Sequence, residues 1–311
     1  MADSPLAISG YETSVPTAVI FSLFYLVLLV WSVRNALRLR LKSEWWVVGY
    51  FAMRILAFLT RVYVNYAASL NDDGSLNKNK KNTYIVDSIL YSAGYFFLQN
   101  CCLGLLDSLI NNVKAYGAPL NLDARVMRYL HIAITASAVL SIWGGLKLTN
   151  DPLLDSDLDT AHKYRIIGIV ILALATVFMA ATAAYCSTLV NERSIRTGGR
   201  YLCAVLLVLL IRVAVSYFFV ENQSKMFEEK YLYGLCIGIE IPAAVMLCVP
   251  NTLVHFLPFN SSRDHVNGEL LPVHIAQPAP AYYPSMQMPQ PQPQGLSVKN
   301  DGHSHAQPGW P

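Results

Sequence analysis

Six ionisable side chains lie inside long apolar stretches of the sequence, where no loop can hold them. Three are basic and three are acidic, so their formal charges cancel: Arg54, Arg61, Arg212, Asp87, Asp107 and Glu240. Charged side chains at membrane depth are costly, and they usually pair with one another or serve a function. The balance predicts charge pairs that face the inside of a helical bundle rather than single charges that face lipid.

The composition explains why these stretches are predicted to be membrane spans. The chain has 311 residues, of which 54% are hydrophobic and only 14% are charged, and its mean hydropathy is +0.37. A soluble domain carries about 25% charged residues. The net charge of +3 comes without a basic cluster, so nucleic-acid binding is not expected. The spans also contain no cofactor motif and no metal-ligand spacing, so we expect neither a cofactor nor a metal.

Seven stretches are long enough to cross a bilayer as helices, which takes about 20 apolar residues each. The sequence therefore predicts an all-α fold, an integral membrane seven-helix bundle at residues 15–257 that follows a short outer segment at 1–14. The predicted spans are 15–33, 45–70, 83–110, 129–148, 166–190, 201–220 and 231–257.

Basic residues in the loops set the predicted orientation, because Lys and Arg are retained on the cytoplasmic side. The loops after the first, third and fifth spans hold ten Lys and Arg residues, against eight on the opposite side. Their acidic residues are Glu44, Asp123 and Glu192, whereas the opposite side holds eleven. We expect the N-terminus outside or lumenal and the C-terminus cytoplasmic, in a plasma membrane or an endomembrane. Asn222 then begins a glycosylation sequon on the outer side.

Residues 258–311 differ in composition from the rest of the chain and are rich in Pro and Gln. Such sequence favours polyproline II and cannot bury a core. It predicts a disordered cytoplasmic tail, for which a proline-reading adaptor would be the fitting protein partner.

Depth along the spans predicts which charges pair. Arg61 lies toward the outer end of the second span and Asp87 toward the outer start of the third, so these two are expected to meet. Arg212 lies just past the middle of the sixth span and Glu240 near the middle of the seventh, which predicts a second pair. Arg54 lies near mid-membrane and is expected to share Glu240 or a polar group of the third span.

The third span carries a polar face of its own. Asp87, Tyr91 and Tyr95 repeat every four residues and therefore share one side of a helix. Asp107 lies near the predicted cytoplasmic end of the same span, where it is expected to reach Lys114 or water. These positions place Tyr91 and Tyr95 beside the charges in the predicted interior.

Three short elements carry a resemblance to a known group of proteins. They are Arg54 in Phe51-Ala-Met-Arg-Ile, Arg212 and Tyr217 in Ile211-Arg-Val-Ala-Val-Ser-Tyr, and Glu240 in Ile239-Glu-Ile. With seven spans, the chain resembles a fungal seven-transmembrane family of unknown function that is distantly similar to RTA-like lipid-translocating exporters. The resemblance covers residues 15–257 and implies a fungal origin and lipids as partners. An RTA-like chain has an acid after the arginine–tyrosine element within the sixth helix, whereas here the next acid is Glu221, at the helix end.

The leading functional expectation is a membrane protein that binds a lipophilic small molecule or lipid and translocates it through a charged cavity. No nucleotide-binding loop occurs, so active transport would draw on an ion gradient. Glu240 is the expected proton-linked residue. The expected cavity lining is Arg54, Arg61, Asp87, Tyr91, Tyr95, Arg212 and Glu240.

Two other functions stay open at this point. One is an intramembrane enzyme, such as an acid-initiated cyclase of terpenoid precursors, in which Asp107 is the favoured general acid because arginines are expected beside Asp87 and Glu240. The other is an unfamiliar seven-helix sensor. A retinal protein is excluded, because residues 231–257 contain no Lys for a Schiff base.

Overall fold

The computed structural model describes residues 15–67, 78–120, 122, 124–147, 155–221 and 232–257. The predicted outer segment at 1–14, the sequon at Asn222 and the predicted tail at 258–311 lie outside these ranges. Within them, every regular element is a helix. The prediction of an all-α chain is therefore confirmed for the part of the sequence that the structure describes.

Six helices are long and apolar enough to cross a membrane, and they coincide with the first six predicted spans. Each extends beyond its predicted span at one end at least, because polar residues next to the apolar stretch continue the helix there. At the start of α5, for example, Asp159 and Lys163 form a 2.6 Å ion pair one turn apart. The helices are α1 (Val15–Leu39), α2 (Lys42–Ala67), α3 (Lys78–Ala115), α4 (Ala124–Lys147), α5 (Asp155–Leu189) and α6 (Arg193–Glu221).

The region of the seventh predicted span is interrupted. A π-helical turn at Leu232–Ile237 leads into α7 (Gly238–Cys248), the helix breaks at Val249, and α8 (Pro250–Leu253) and a 3-10 turn at Val254–Phe256 follow. Proline explains the breaks, because it lacks a backbone N–H and clashes with the preceding turn. With 11 residues, α7 is shorter than the roughly 20 residues that a span needs. A complete seventh span therefore stays a prediction.

Helix α3 lies at the centre of the bundle, where it packs against α2, α4, α5 and α6. Of the 18 residues that form its most apolar stretch, 61% are buried. In the corresponding stretches of the other five long helices, 22–39% are buried. The interrupted α7 packs against α6, α1 and α2. As a result, α2, α3, α6 and α7 all face one another across the interior.

The outer surface of the bundle is apolar, as a lipid-facing surface must be. Ile20 is 65% exposed, Val27 64% and Leu174 66%. A soluble protein rarely exposes contiguous apolar surface of this kind. The surface and the six long apolar helices together identify a multi-pass membrane protein.

Helices α5 and α6 approach each other closely at Gly199. A Cβ atom added there would lie 2.7 Å from the Cβ of Ser187 and 2.9 Å from the carbonyl oxygen of Ala183. Small residues at such contacts let helix backbones approach closely within a membrane. Gly199 therefore sets the distance between these two helices.

We expect Gly199→Ala to destabilise the bundle by about 1–3 kcal/mol, because the added methyl group forces α5 and α6 apart. Reversible unfolding in mixed micelles measures the change. Gly234→Ala is the matched control, because nothing lies within 4 Å of a Cβ placed there. Equal stability of the two variants would contradict the close approach at Gly199.

Candidate functional site

The centre of the site is a single carboxylate that two arginines share. Glu240 of α7 is 0% exposed, and its Oε2 lies 2.5 Å from Nη2 of Arg54 on α2. Its Oε1 lies 2.7 Å from Nε of Arg212 on α6. We name these three residues the Arg–Glu–Arg cluster. Three helices are thereby fastened to one buried side chain, and both expected partners of Glu240 are present.

Tyr91 of α3 contacts both arginines of the cluster. Its ring centroid lies 4.1 Å from Cζ of Arg54, which also donates from Nη1 to the Tyr91 carbonyl oxygen at 3.1 Å. Arg212 donates from Nη2 to the Tyr91 hydroxyl at 2.9 Å. An aromatic face attracts a guanidinium by its quadrupole. Tyr91 therefore stabilises both positive groups without supplying a negative charge.

Two further tyrosines extend the hydrogen bonds from the cluster to α1. The Tyr50 hydroxyl donates to Oε2 of Glu240 at 3.2 Å. It also lies 3.3 Å from the hydroxyl of Tyr25 on α1. Both tyrosine side chains are fully buried. The network therefore includes α1, α2, α3, α6 and α7.

Gly94 on α3 leaves the space that the Arg54 side chain occupies. A Cβ at this position would lie 3.2 Å from Cζ of Arg54 and 3.4 Å from its Nε. Those distances are tighter than ordinary contacts between Cβ atoms and side chains. The glycine thus allows the guanidinium to lie directly on the α3 backbone.

A second charge pair, Arg61 with Asp87, joins α2 to α3. Nε of Arg61 lies 3.1 Å from Oδ1 of Asp87, and Nη2 lies 2.9 Å from Oδ2. This two-point contact is the pair that the sequence predicts. Cζ of Arg61 also lies 5.9 Å from the Tyr91 ring centroid. Tyr91 therefore contacts the cluster and lies beside the second pair.

Tyr95 connects α3 to α6 beside Arg212 of the cluster. Its hydroxyl donates to the carbonyl oxygen of Leu209 on α6 at 2.9 Å and accepts from Nε2 of Gln99 at 2.8 Å. Its ring centroid lies 5.4 Å from Cζ of Arg212. Gln99 in turn lies 3.3 Å from the hydroxyl of Thr176 on α5. Polar contacts thus continue from the charges into α5.

Two of the residues singled out from the sequence lie away from the cluster. Tyr217 is 48% exposed, although it follows Arg212 on the same helix. Asp107 is exposed and accepts a hydrogen bond from Asn111 at 3.4 Å. Lys114, its expected partner, instead donates to the carbonyl oxygen of Leu122 at 2.7 Å. The predicted interior therefore does not include these two side chains.

Asp107 lines a groove of about 320 Å³ between α2, α3 and α4. His131 lies in this groove with its Nδ1 atom 2.8 Å from Oδ1 of Asn100. The remaining lining residues are mostly apolar: Trp46, Leu103, Gly104 and Met127. Among the described residues, no group of three or more His, Cys, Asp or Glu side chains could hold a metal ion.

The sequence reasoning missed one buried acid, Glu44, by counting it with the loop residues. Its side chain is 0% exposed. The spacing of residues along α2 indicates this burial. Buried residues recur every three or four positions on one face of the helix, and Glu44 continues that face. That face consists of Glu44, Val47, Phe51, Arg54, Phe58 and Arg61.

A bundle of long apolar helices around paired buried charges defines the class of the protein, a multi-pass helical membrane protein. More particularly, the chain belongs to the family of a domain of unknown function, DUF7702, whose model matches residues 12–250. The matched region contains the whole Arg–Glu–Arg cluster. No curated protein and no solved structure matches the chain. The expectation of a family of unknown function is thereby confirmed.

We expect Glu240→Ala to destabilise the fold by about 3–5 kcal/mol, because it leaves two buried guanidinium groups without their carboxylate. Reversible unfolding in mixed micelles reports the change. The control is Asp159→Ala, which removes an exposed pair with Lys163 and should cost no more than about 0.5 kcal/mol. A Glu240→Ala protein as stable as this control would contradict the buried pairing.

Proposed function

We propose that the protein binds an amphipathic, lipid-like molecule at the Arg–Glu–Arg cluster and translocates it across the bilayer. The observation that carries the proposal is the sharing of Glu240 by Arg54 and Arg212. Measured interhelical polar contacts contribute on average only about 0.6 kcal/mol in a membrane. Helix fastening alone is therefore a weak reason to bury so many charges.

The charge of the cluster indicates which polar group the molecule carries. Among the described residues, Glu240 is the carboxylate that contacts Arg54 and Arg212. The cluster thus presents two guanidinium groups around one carboxylate. A carboxylate or phosphate group would suit such a site, since guanidinium binds both through paired hydrogen bonds. The proposed ligand therefore has an anionic head and an apolar body.

The interruption of the seventh predicted span on either side of α7 supports movement of the helix that carries Glu240. Glu240 is the third residue of a short helix that follows a π-helical turn and contains Pro242. π-helical turns occur frequently at functional sites, and interrupted helices form the substrate sites of many transporters. A short helix that carries the shared carboxylate can shift without moving an entire span.

The driving force would be an ion gradient, because the sequence contains no nucleotide-binding loop. Protonation of Glu240 would remove the charge that both arginines share, and an anionic headgroup could then bind them. The resemblance to RTA-like lipid-translocating exporters agrees with this class of substrate. Exchange of Glu240 for a ligand anion at two arginines is the proposed mechanism.

We expect proteoliposomes containing the full chain to move NBD-labelled phosphatidic acid between leaflets faster than NBD-labelled phosphatidylcholine. Glu240→Gln should slow that movement at least tenfold, because glutamine, like protonated Glu240, leaves both arginines to the anion but cannot regain the negative charge that displaces it. Quenching of the outer-leaflet label by dithionite measures the movement. The matched control is Glu221→Gln, since Glu221 lies exposed at the end of α6.

Tyr91→Phe provides a milder variant, because it removes only the hydroxyl that accepts from Arg212. It should slow the movement several-fold while the protein stays folded. Equal movement of the two lipids by the wild type, or a Glu240→Gln rate equal to that of Glu221→Gln, would remove the cluster from the mechanism.

A second candidate function, the intramembrane cyclase, would use the groove of about 320 Å³ that Asp107 lines, whereas Asp87 and Glu240 are held by arginines. A general acid needs a carboxyl group that burial keeps protonated, and the exposure of Asp107 weighs against this candidate. Incubation of membranes with an epoxy-polyprenyl substrate tests this candidate. A cyclised product that disappears in Asp107→Asn but persists in Glu240→Gln would favour catalysis over translocation.

A further inference from the structure

In addition to Asp87, another buried carboxyl group lies outside the Arg–Glu–Arg cluster, on the first turn of α2. Glu44 is 0% exposed. Within the described part of the chain, neither of its carboxyl oxygens has a hydrogen-bond partner. None of the ion pairs found among the described residues includes it. Glu44 therefore differs from Asp87 and Glu240, each of which contacts an arginine.

The side chains around Glu44 are polar. In the part of the chain that the structure describes, no positively charged side chain lies within ion-pair distance of it. Among the described residues, two neutral thiols lie close enough to interact electrostatically with it, Cys101 of α3 and Cys248 of α7. Ser32 of α1 lies beside the Cys248 thiol. The hydroxyl of Ser43 is buried too, and it also has no partner. Helices α1, α2, α3 and α7 thus enclose an acid among neutral groups.

The physical chemistry of burial limits the form that this side chain can take. An ionised carboxylate taken out of water without a partner is far costlier than a neutral carboxyl group. It must therefore pair with a cation or bind a proton, and among the described residues no cationic side chain forms an ion pair with it. We propose that Glu44 is a proton-binding site inside the bundle.

The position of this site connects it to the rest of the molecule through α7. Cys248 beside Glu44 and Glu240 in the cluster lie eight residues apart on the same helix, a distance of about 12 Å. Release of the proton would leave a negative charge between α2, α3 and α7, and this charge would draw water into their contact. Proton binding at Glu44 thereby holds the end of α7 against α2 and α3. The assignment does not depend on which molecule the protein handles.

Infrared spectroscopy of the full chain in phosphatidylcholine nanodiscs at neutral pH tests the proposal. The wild type should show the carbonyl-stretch band of a protonated carboxyl group, with a shift in deuterium oxide. That band should disappear in Glu44→Gln and persist in Glu221→Gln, the exposed control. Glu44→Met, which is apolar and similar in size, gives a second variant in case the glutamine protein does not fold. An unchanged band in the folded Glu44 variants would overturn the proposal.

Labelling with the hydrophobic reagent dicyclohexylcarbodiimide, which modifies protonated carboxyl groups, separates a proton from a metal cation. Mass spectrometry should locate the label on Glu44, and sodium chloride should not reduce its yield relative to choline chloride. Protection by sodium would show that the site holds a cation instead, and it would overturn the proposal. Neither measurement requires transport, so a negative result in the lipid assay leaves this test intact.

Discussion

The structure depends on one interaction, the sharing of Glu240 by Arg54 and Arg212. A buried carboxylate must be neutralised, and two buried guanidinium groups must find acceptors, so α2, α6 and α7 converge on the same point. Tyr91 adds the central helix α3 through a ring face, a carbonyl and a hydroxyl. Hydrogen bonds of Tyr50 and Tyr25 extend outward from this convergence to α1.

The proposed exchange of Glu240 for a ligand anion draws on the same convergence. Because both arginines contact one carboxylate, a single incoming anion could contact both of them. The short helix α7 carries this carboxylate. It also carries Cys248, which interacts electrostatically with another buried acid, Glu44.

Much of this arrangement is readable from the sequence, because the cost of burying charge leaves few ways to pair the residues. Helix depth alone predicts Arg61 with Asp87 and Arg212 with Glu240, and both pairs are present. The spacing of residues and the length of the apolar stretches predict the six long helices. Asp107 is exposed near the end of α3, where the sequence places it within reach of Lys114 or water. The exposure of Tyr217 is not predicted, because helix rotation depends on packing with neighbours. Glu44 escapes notice since it precedes the apolar stretch, and only the spacing of the buried face on α2 indicates its burial.

Double-mutant cycles around Glu240 test the central claim most directly. The cycles combine Glu240→Gln with Arg54→Gln in one case and with Arg212→Gln in the other, and unfolding in mixed micelles gives the coupling free energies. The account predicts that both arginines couple to Glu240 by at least about 1 kcal/mol. A coupling near zero for either arginine would show that the carboxylate is not shared, and it would contradict the account.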